Sequence, residues 1–154
     1  MNAIRRALLG ALTGAALLPP AVRAAPAAKP LVEVWKSPTC GCCKDWIAHM
    51  EANGFAVRTH ETGNHDIRAR LGVPVKYGSC HTARVGSYAL EGHVPASEVL
   101  RLLKEKPDAI GLAVPAMPVG SPGMDGSEYK GRRDPYDVLL VKRDGNAAVY
   151  RSYR

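Results

Sequence analysis

The sequence predicts an α/β domain, a mixed sheet flanked by helices with an added C-terminal β-hairpin. Three observations predict it. Leu31-Val32-Glu33-Val34-Trp35 alternates with period two, Cys43, Trp46, Ile47 and Met50 recur at helical spacing, and Phe55 to His60 returns to a strand-like run. A right-handed crossover through such a helix makes the two strands parallel. Gly86-Ser87 and Asp144-Gly145 sit between β-prone runs and read as hairpin turns.

In chain order, Ser37-Pro38-Thr39 turns the first strand into the first helix, and Asn53-Gly54 ends that helix as a C-cap pair. Asn64 is placed to cap a short second helix, roughly His65 to Leu71, which Gly72-Val73-Pro74 terminates. His81 to Gly86 and Tyr88 to His93 form the first hairpin. Pro95-Ala96-Ser97 leads into a third helix, Glu98 to Lys106, with Val99, Leu102 and Leu103 as its apolar stripe. The segment from 111 to 135 is rich in Gly and Pro, has little apolar periodicity and reads as a long, mostly irregular surface loop. Loops of that length are more often functional than idle. Val138 to Val141 and Ala147 to Tyr150 close the chain as a second hairpin, and no internal repeat is present.

The N-terminus has a different character. Arg5 and Arg6, the apolar run Ala7 to Leu18, and the small residues around Ala24 have the order of a secretory signal peptide, which places residues 1–24 as a cleaved leader and 25–30 as a disordered lead-in. The paired arginines also raise twin-arginine export, although their surroundings fit that signal poorly. Without the leader, residues 31–154 make one domain. Arg5, Arg6 and Arg23 leave with it, so 18 of the 21 basic residues face 14 acids, a net charge of +4 instead of +7. The remaining bases are scattered, which argues against nucleic acid as a partner. No later run approaches the roughly 20 apolar residues of a membrane helix, so stable membrane insertion is not expected after cleavage.

The chemistry is expected at four cysteines, Cys40, Cys42, Cys43 and Cys80. In an exported chain four cysteines ordinarily suggest two disulfides. Here three are crowded into Cys40-Gly41-Cys42-Cys43, cannot all pair with Cys80, and are not expected to pair easily among themselves. The order of elements, with a C-x-x-C at a helix N-terminus, is that of thioredoxin-like domains. At that position free backbone N–H groups and the helix dipole favour thiolates, so these cysteines are expected to be acidic. Thioredoxin-like enzymes place a cis-proline just before the hairpin; this chain has Cys80 there, so four sulfurs are expected to converge. Soft sulfur selects cuprous copper. Zinc and inert cysteines are the further readings, and the reading from another class is a periplasmic thiol-disulfide oxidoreductase in which Cys40 attacks and Cys43 resolves. Accessory metal candidates are His81, Met117 and Met124. His93 reaches the site only if the hairpin curls back. His49, His60 and His65 are expected at the surface, Arg132-Arg133 as solvated charge, and Trp35 and Trp46 on either side of the first helix.

From Val34 to Tyr150 the chain resembles the CopG-like family, a domain of unknown function encoded with bacterial copper- and silver-resistance systems. The resemblance rests on Ser37-Pro38-Thr39-Cys40-Gly41-Cys42-Cys43, Gly72-Val73-Pro74, Ser79-Cys80-His81-Thr82-Ala83, Glu91-Gly92-His93-Val94-Pro95, Met117-Pro118, Gly120 to Met124, and Tyr136-Asp137-Val138. It implies a thioredoxin-like fold and a periplasmic copper site built from the four cysteines, able to hold several cuprous ions and involved in copper redox interconversion. Copper ions and other periplasmic copper-resistance or efflux components are the partners it implies.

Overall fold

The structure, a computed structural model, describes residues 28–154. The expected leader and the first residues of the lead-in lie outside the described residues. No helix among the described residues is long and apolar enough to cross a membrane.

Strand β1, Leu31–Lys36, turns Val32, Val34 and Lys36 inward. Helix α1, Gly41–Ala52, buries Cys43, Trp46 and Met50, one face at three- and four-residue spacing. It ends at Asn53, with Gly54 at φ +89°, where a side chain would be strained. Strand β2, Ala56–His60, runs parallel to β1 with Leu31 opposite Ala56. Helix α2, His65–Arg70, follows, then the hairpin of β3, His81–Val85, and β4, Tyr88–Glu91. Helix α3, Ala96–Glu105, buries Val99 and Leu102.

Beyond α3 the structure refines the expectation of a mostly irregular 111–135 loop. Gly111–Ala113 forms strand β5, parallel to β4 and antiparallel to β6, Tyr136–Val141, and Ser127–Tyr129 is a turn of 3-10 helix. The closing hairpin of β6 and β7, Ala147–Tyr153, is thus continuous with the main sheet. Strand order is β2-β1-β3-β4-β5-β6-β7. The core runs beneath all of it, from Val34 and Trp46 through Leu90 and Leu112 to Val138.

Two capping expectations also change. Asn64 makes no side-chain cap; its amide donates to the Ser79 carbonyl and to Thr82 Oγ1, each at 3.2 Å. His49 does not sit idle at the surface: its Nε2 accepts the Ala96 N–H at 3.0 Å, satisfying one of the free donors that open α3.

Candidate metal centre

Three elements bring the site together. The first turn of α1 presents Cys40 as its cap residue with Cys42 and Cys43 inside the helix. The residue before β3 is Cys80, and the turn after β4 carries His93. The four cysteine sulfurs lie within 4.8 Å of one another. Cys42 Sγ is 3.6 Å from Cys40 Sγ and 3.9 Å from Cys80 Sγ, and Cys43 Sγ is 3.5 Å from Cys80 Sγ.

Cys40 and Cys43 are joined by a disulfide, while Cys42 and Cys80 are free and half-buried. This corrects the expectation that the crowded cysteines pair poorly. Residues three apart around the start of a helix lie on one face, and their Cα atoms, 5.4 Å apart, are within disulfide reach. Cys42, between them in the chain, stays free, its sulfur 3.6 Å from Cys40 Sγ and 3.9 Å from Cys80 Sγ.

Cys80 lies off the helix, outside the reach of its N-terminus. Burial, reinforced by the neighbouring Cys42, pushes its thiol up to about 12. Its hydrogen-bond partner is His93, whose Nε2 is 3.0 Å from Cys80 Sγ and whose Nδ1 donates to the Pro122 carbonyl at 2.7 Å. With Nδ1 carrying the proton, Nε2 is an acceptor and the Cys80 thiol donates to it. His81 Nδ1 lies 3.4 Å from the same sulfur. Both rings are fully buried, and burial lowers the pKa of each, that of His81 well below the usual histidine range. Trp46 covers His81 at a ring separation of 4.4 Å and donates its indole N–H to the Val94 carbonyl.

A buried carboxylate sets the position of Cys80. Glu91 accepts from Arg68 Nε at 2.9 Å, from the Ser79 N–H at 2.6 Å and from the Thr82 hydroxyl at 2.6 Å, while Arg68 also donates to the Ser79 carbonyl at 2.7 Å. The residue just before Cys80 is therefore pinned by both its backbone N–H and its backbone carbonyl. Burial raises the Glu91 pKa, and these donors oppose the rise.

The loop after β5 closes the far side. Gly123, at φ +82°, packs so closely that a Cβ there would stand 2.6 Å from the Cys42 carbonyl and 2.7 Å from the Trp46 nitrogen. Of the expected accessory ligands, His81 is in the cluster. Met124 accepts a hydrogen bond from the Tyr129 hydroxyl, at 3.4 Å. Met117 is 46% exposed on an open groove of about 680 Å³ beside Pro118, Pro135 and Tyr136, which none of the cysteines lines. The residue that sequence reasoning underrated is His93. The one signal that pointed to it is its place just after the strand paired with β3, which brings it back toward Cys80.

The donor set fits a thiophilic metal. A tetrahedral thiolate site with metal–sulfur bonds of about 2.3 Å has sulfurs about 3.8 Å apart, close to the separations here apart from the bonded Cys40–Cys43 pair.

The chain is similar to a solved structure titled copper resistance protein copG, form 2. The two are 46% identical with a TM-score of 0.75, and the match covers 82% of this chain and 99% of that one. Form 1 of the same protein matches at 46% identity and TM-score 0.74, covering 81% and 98%. The chain belongs to the CopG family. Within it, residues 77–124 also match the family described as protein of unknown function DUF411. That stretch holds Cys80, His81 and His93 but not the cysteines of α1, so the CopG-family site straddles its boundary. No curated protein matches the chain.

Proposed function

We propose that this chain is a periplasmic copper-binding protein of a copper-resistance system, holding cuprous ions as cargo on Cys40, Cys42, Cys43 and Cys80. The observation that carries the reading is the convergence of four sulfurs within 4.8 Å from two separate elements. A structural disulfide framework has no use for the two extra thiols, and soft thiolates favour cuprous copper over hard cations. Thiolates can bridge ions, so the same four sulfurs support a site for more than one copper. The copper-resistance titles of the solved relatives point the same way, as does the secretory pattern of residues 1–24. The cysteine-bearing part, with sheet order β2-β1-β3-β4 and α1 entering at the cysteines, supports a thioredoxin-like reading of the scaffold. Other envelope copper-resistance or efflux components are the natural donors and acceptors of such cargo.

In this reading the Cys40–Cys43 bond is the closed state of the site. Opening it takes two electrons and two protons from an external dithiol and yields two thiols, whose protons leave as copper binds. The disulfide also favours a second reading, a periplasmic thiol-disulfide oxidoreductase working through Cys40 and Cys43. The two differ over Cys42 and Cys80.

The test is anaerobic cuprous titration of the reduced mature protein alongside Cys42→Ser and Cys80→Ser, following bound copper and the sulfur-to-copper charge-transfer band. More than one tightly held copper per chain, lost in either variant, is expected. Binding indifferent to both substitutions, together with reversible Cys40–Cys43 exchange, would hand the function to thiol redox chemistry.

A further inference from the structure

Where β1 ends, on the side of the sheet that Trp35 faces, a pocket of about 430 Å³ opens. Trp35, the loop 62–64 and one side of α2 line it, and none of the cysteines does. Its size is that of a small-molecule site, for which about 300–1,000 Å³ is usual.

The lining is fixed before anything binds. The Trp35 ring stacks on His60 at 4.6 Å, with the planes 13° apart. Gly63 N–H donates to the Lys36 carbonyl at 3.0 Å, which ties the loop to the end of β1. Asn64 is 7% exposed, and its amide nitrogen already donates to the Ser79 carbonyl and to Thr82 Oγ1. The amide oxygen is what Asn64 has left for the pocket it lines, a buried acceptor held in place and lacking a donor.

The rim carries charge of both signs. Asp66 and Arg70 stand one turn apart on α2, a spacing that lets opposite charges bridge. Yet neither is ion-paired among the described residues. Their Cβ atoms are about 5–6 Å apart at that spacing, and arginine is the longer side chain. The two ends can therefore bracket a molecule that carries one charge of each sign a few ångströms apart. Trp35 and half-buried Ile67 add apolar surface to the same pocket.

We propose that this pocket binds a free α-amino acid as its zwitterion. The ammonium donates to Asp66 and to the Asn64 amide oxygen, the carboxylate accepts from Arg70, and the side chain lies against Trp35 and Ile67. A simple anion or cation would leave one of the two rim charges unanswered. The site stands apart from the four sulfurs and does not depend on what they bind.

The metal-free protein is titrated by calorimetry with the common L-amino acids one at a time, without copper because amino acids chelate it. One equivalent is expected for at least one of them, with shifts in the nitrogen–proton correlation spectrum centred on the Trp35 indole and residues 63–70. For that ligand, the carboxamide and the N-acetyl derivative each lack one charge. Each should bind about tenfold or more weakly, the loss of one charge-assisted hydrogen bond. Asp66→Asn should weaken the amino acid by a similar factor and leave the N-acetyl derivative unchanged, while Arg70→Gln should do so and leave the carboxamide unchanged. Both positions are exposed, so these variants keep the fold. No saturable binding by any amino acid, shifts that lie elsewhere, or binding indifferent to either substitution would overturn the proposal.

Discussion

An imidazole surrendered its proton for the core at position 81. His81 is fully buried, and burial holds its pKa well below the ordinary value of 6.5. The unfolded chain therefore takes up a proton near pH 6.5 that the folded chain refuses, and stability is lost as pH falls below that point. The slope for one such group approaches about 1.4 kcal/mol per pH unit. Metal-free protein unfolded in urea at pH 7.5 and pH 5.5 should lose stability on acidification, and His81→Gln should remove about one proton's worth of that slope. An unchanged slope would mean that His81 is protonated inside the fold. At the same scale, Cys80 contrasts with the cysteines of α1, since burial pushes its thiol up. The helix N-terminus that favours thiolates acts over one turn, and Cys80 stands outside that turn, just before β3.

At the scale of elements, α1 was legible because its period differs from that of its flanking strands and because Cys43, Trp46 and Met50 share one face. Strand β5 was not. Three residues, Gly111–Ala113, carry no periodicity of their own, and they become a strand only because β4 and β6 offer ladders on both sides. The same nonlocality hid His93, whose distance to Cys80 depends on the path of the chain after β4. The Cys40–Cys43 pair was legible as an i, i+3 spacing at a helix start; that it closes was not, because an adjacent third thiol offers a competing partner. The 120–124 loop is fitted to α1 at Gly123, where positive φ and close approach to the Cys42 carbonyl both exclude a side chain. Gly123→Ala should cost roughly 1–3 kcal/mol and loosen the Pro122 contact to His93, read as a lower urea midpoint and a faster reaction of Cys80 with thiol reagents. A midpoint unchanged by the substitution would show that the loop can lift off α1 without loss.

For the whole molecule, the consequence of β5 is continuity. The cysteine-bearing strands and the terminal hairpin are joined through one short central strand whose Leu112 is 1% exposed, so they share a core. Leu112→Ala should destabilise by about 2–5 kcal/mol in a single transition, with far-ultraviolet and near-ultraviolet circular dichroism coinciding. Two separated transitions would mean that the hairpin folds as an independent unit. The broad architecture was legible in the sequence from its alternating strand and helix periods; the merger of the hairpin into the main sheet was not, because it is decided by pairing between residues distant in the chain.

The ring contact between Trp46 and His81 gives the protein a native optical gauge. Trp46 is a sealed fluorophore one ring away from a candidate ligand, so charge or an open-shell ion arriving there alters the surroundings of its excited state. The other indole, Trp35, stacks instead on His60 at 4.6 Å, in the β1–β2 pairing away from that contact. One emitter listens to the site and the other supplies its background, with no label added.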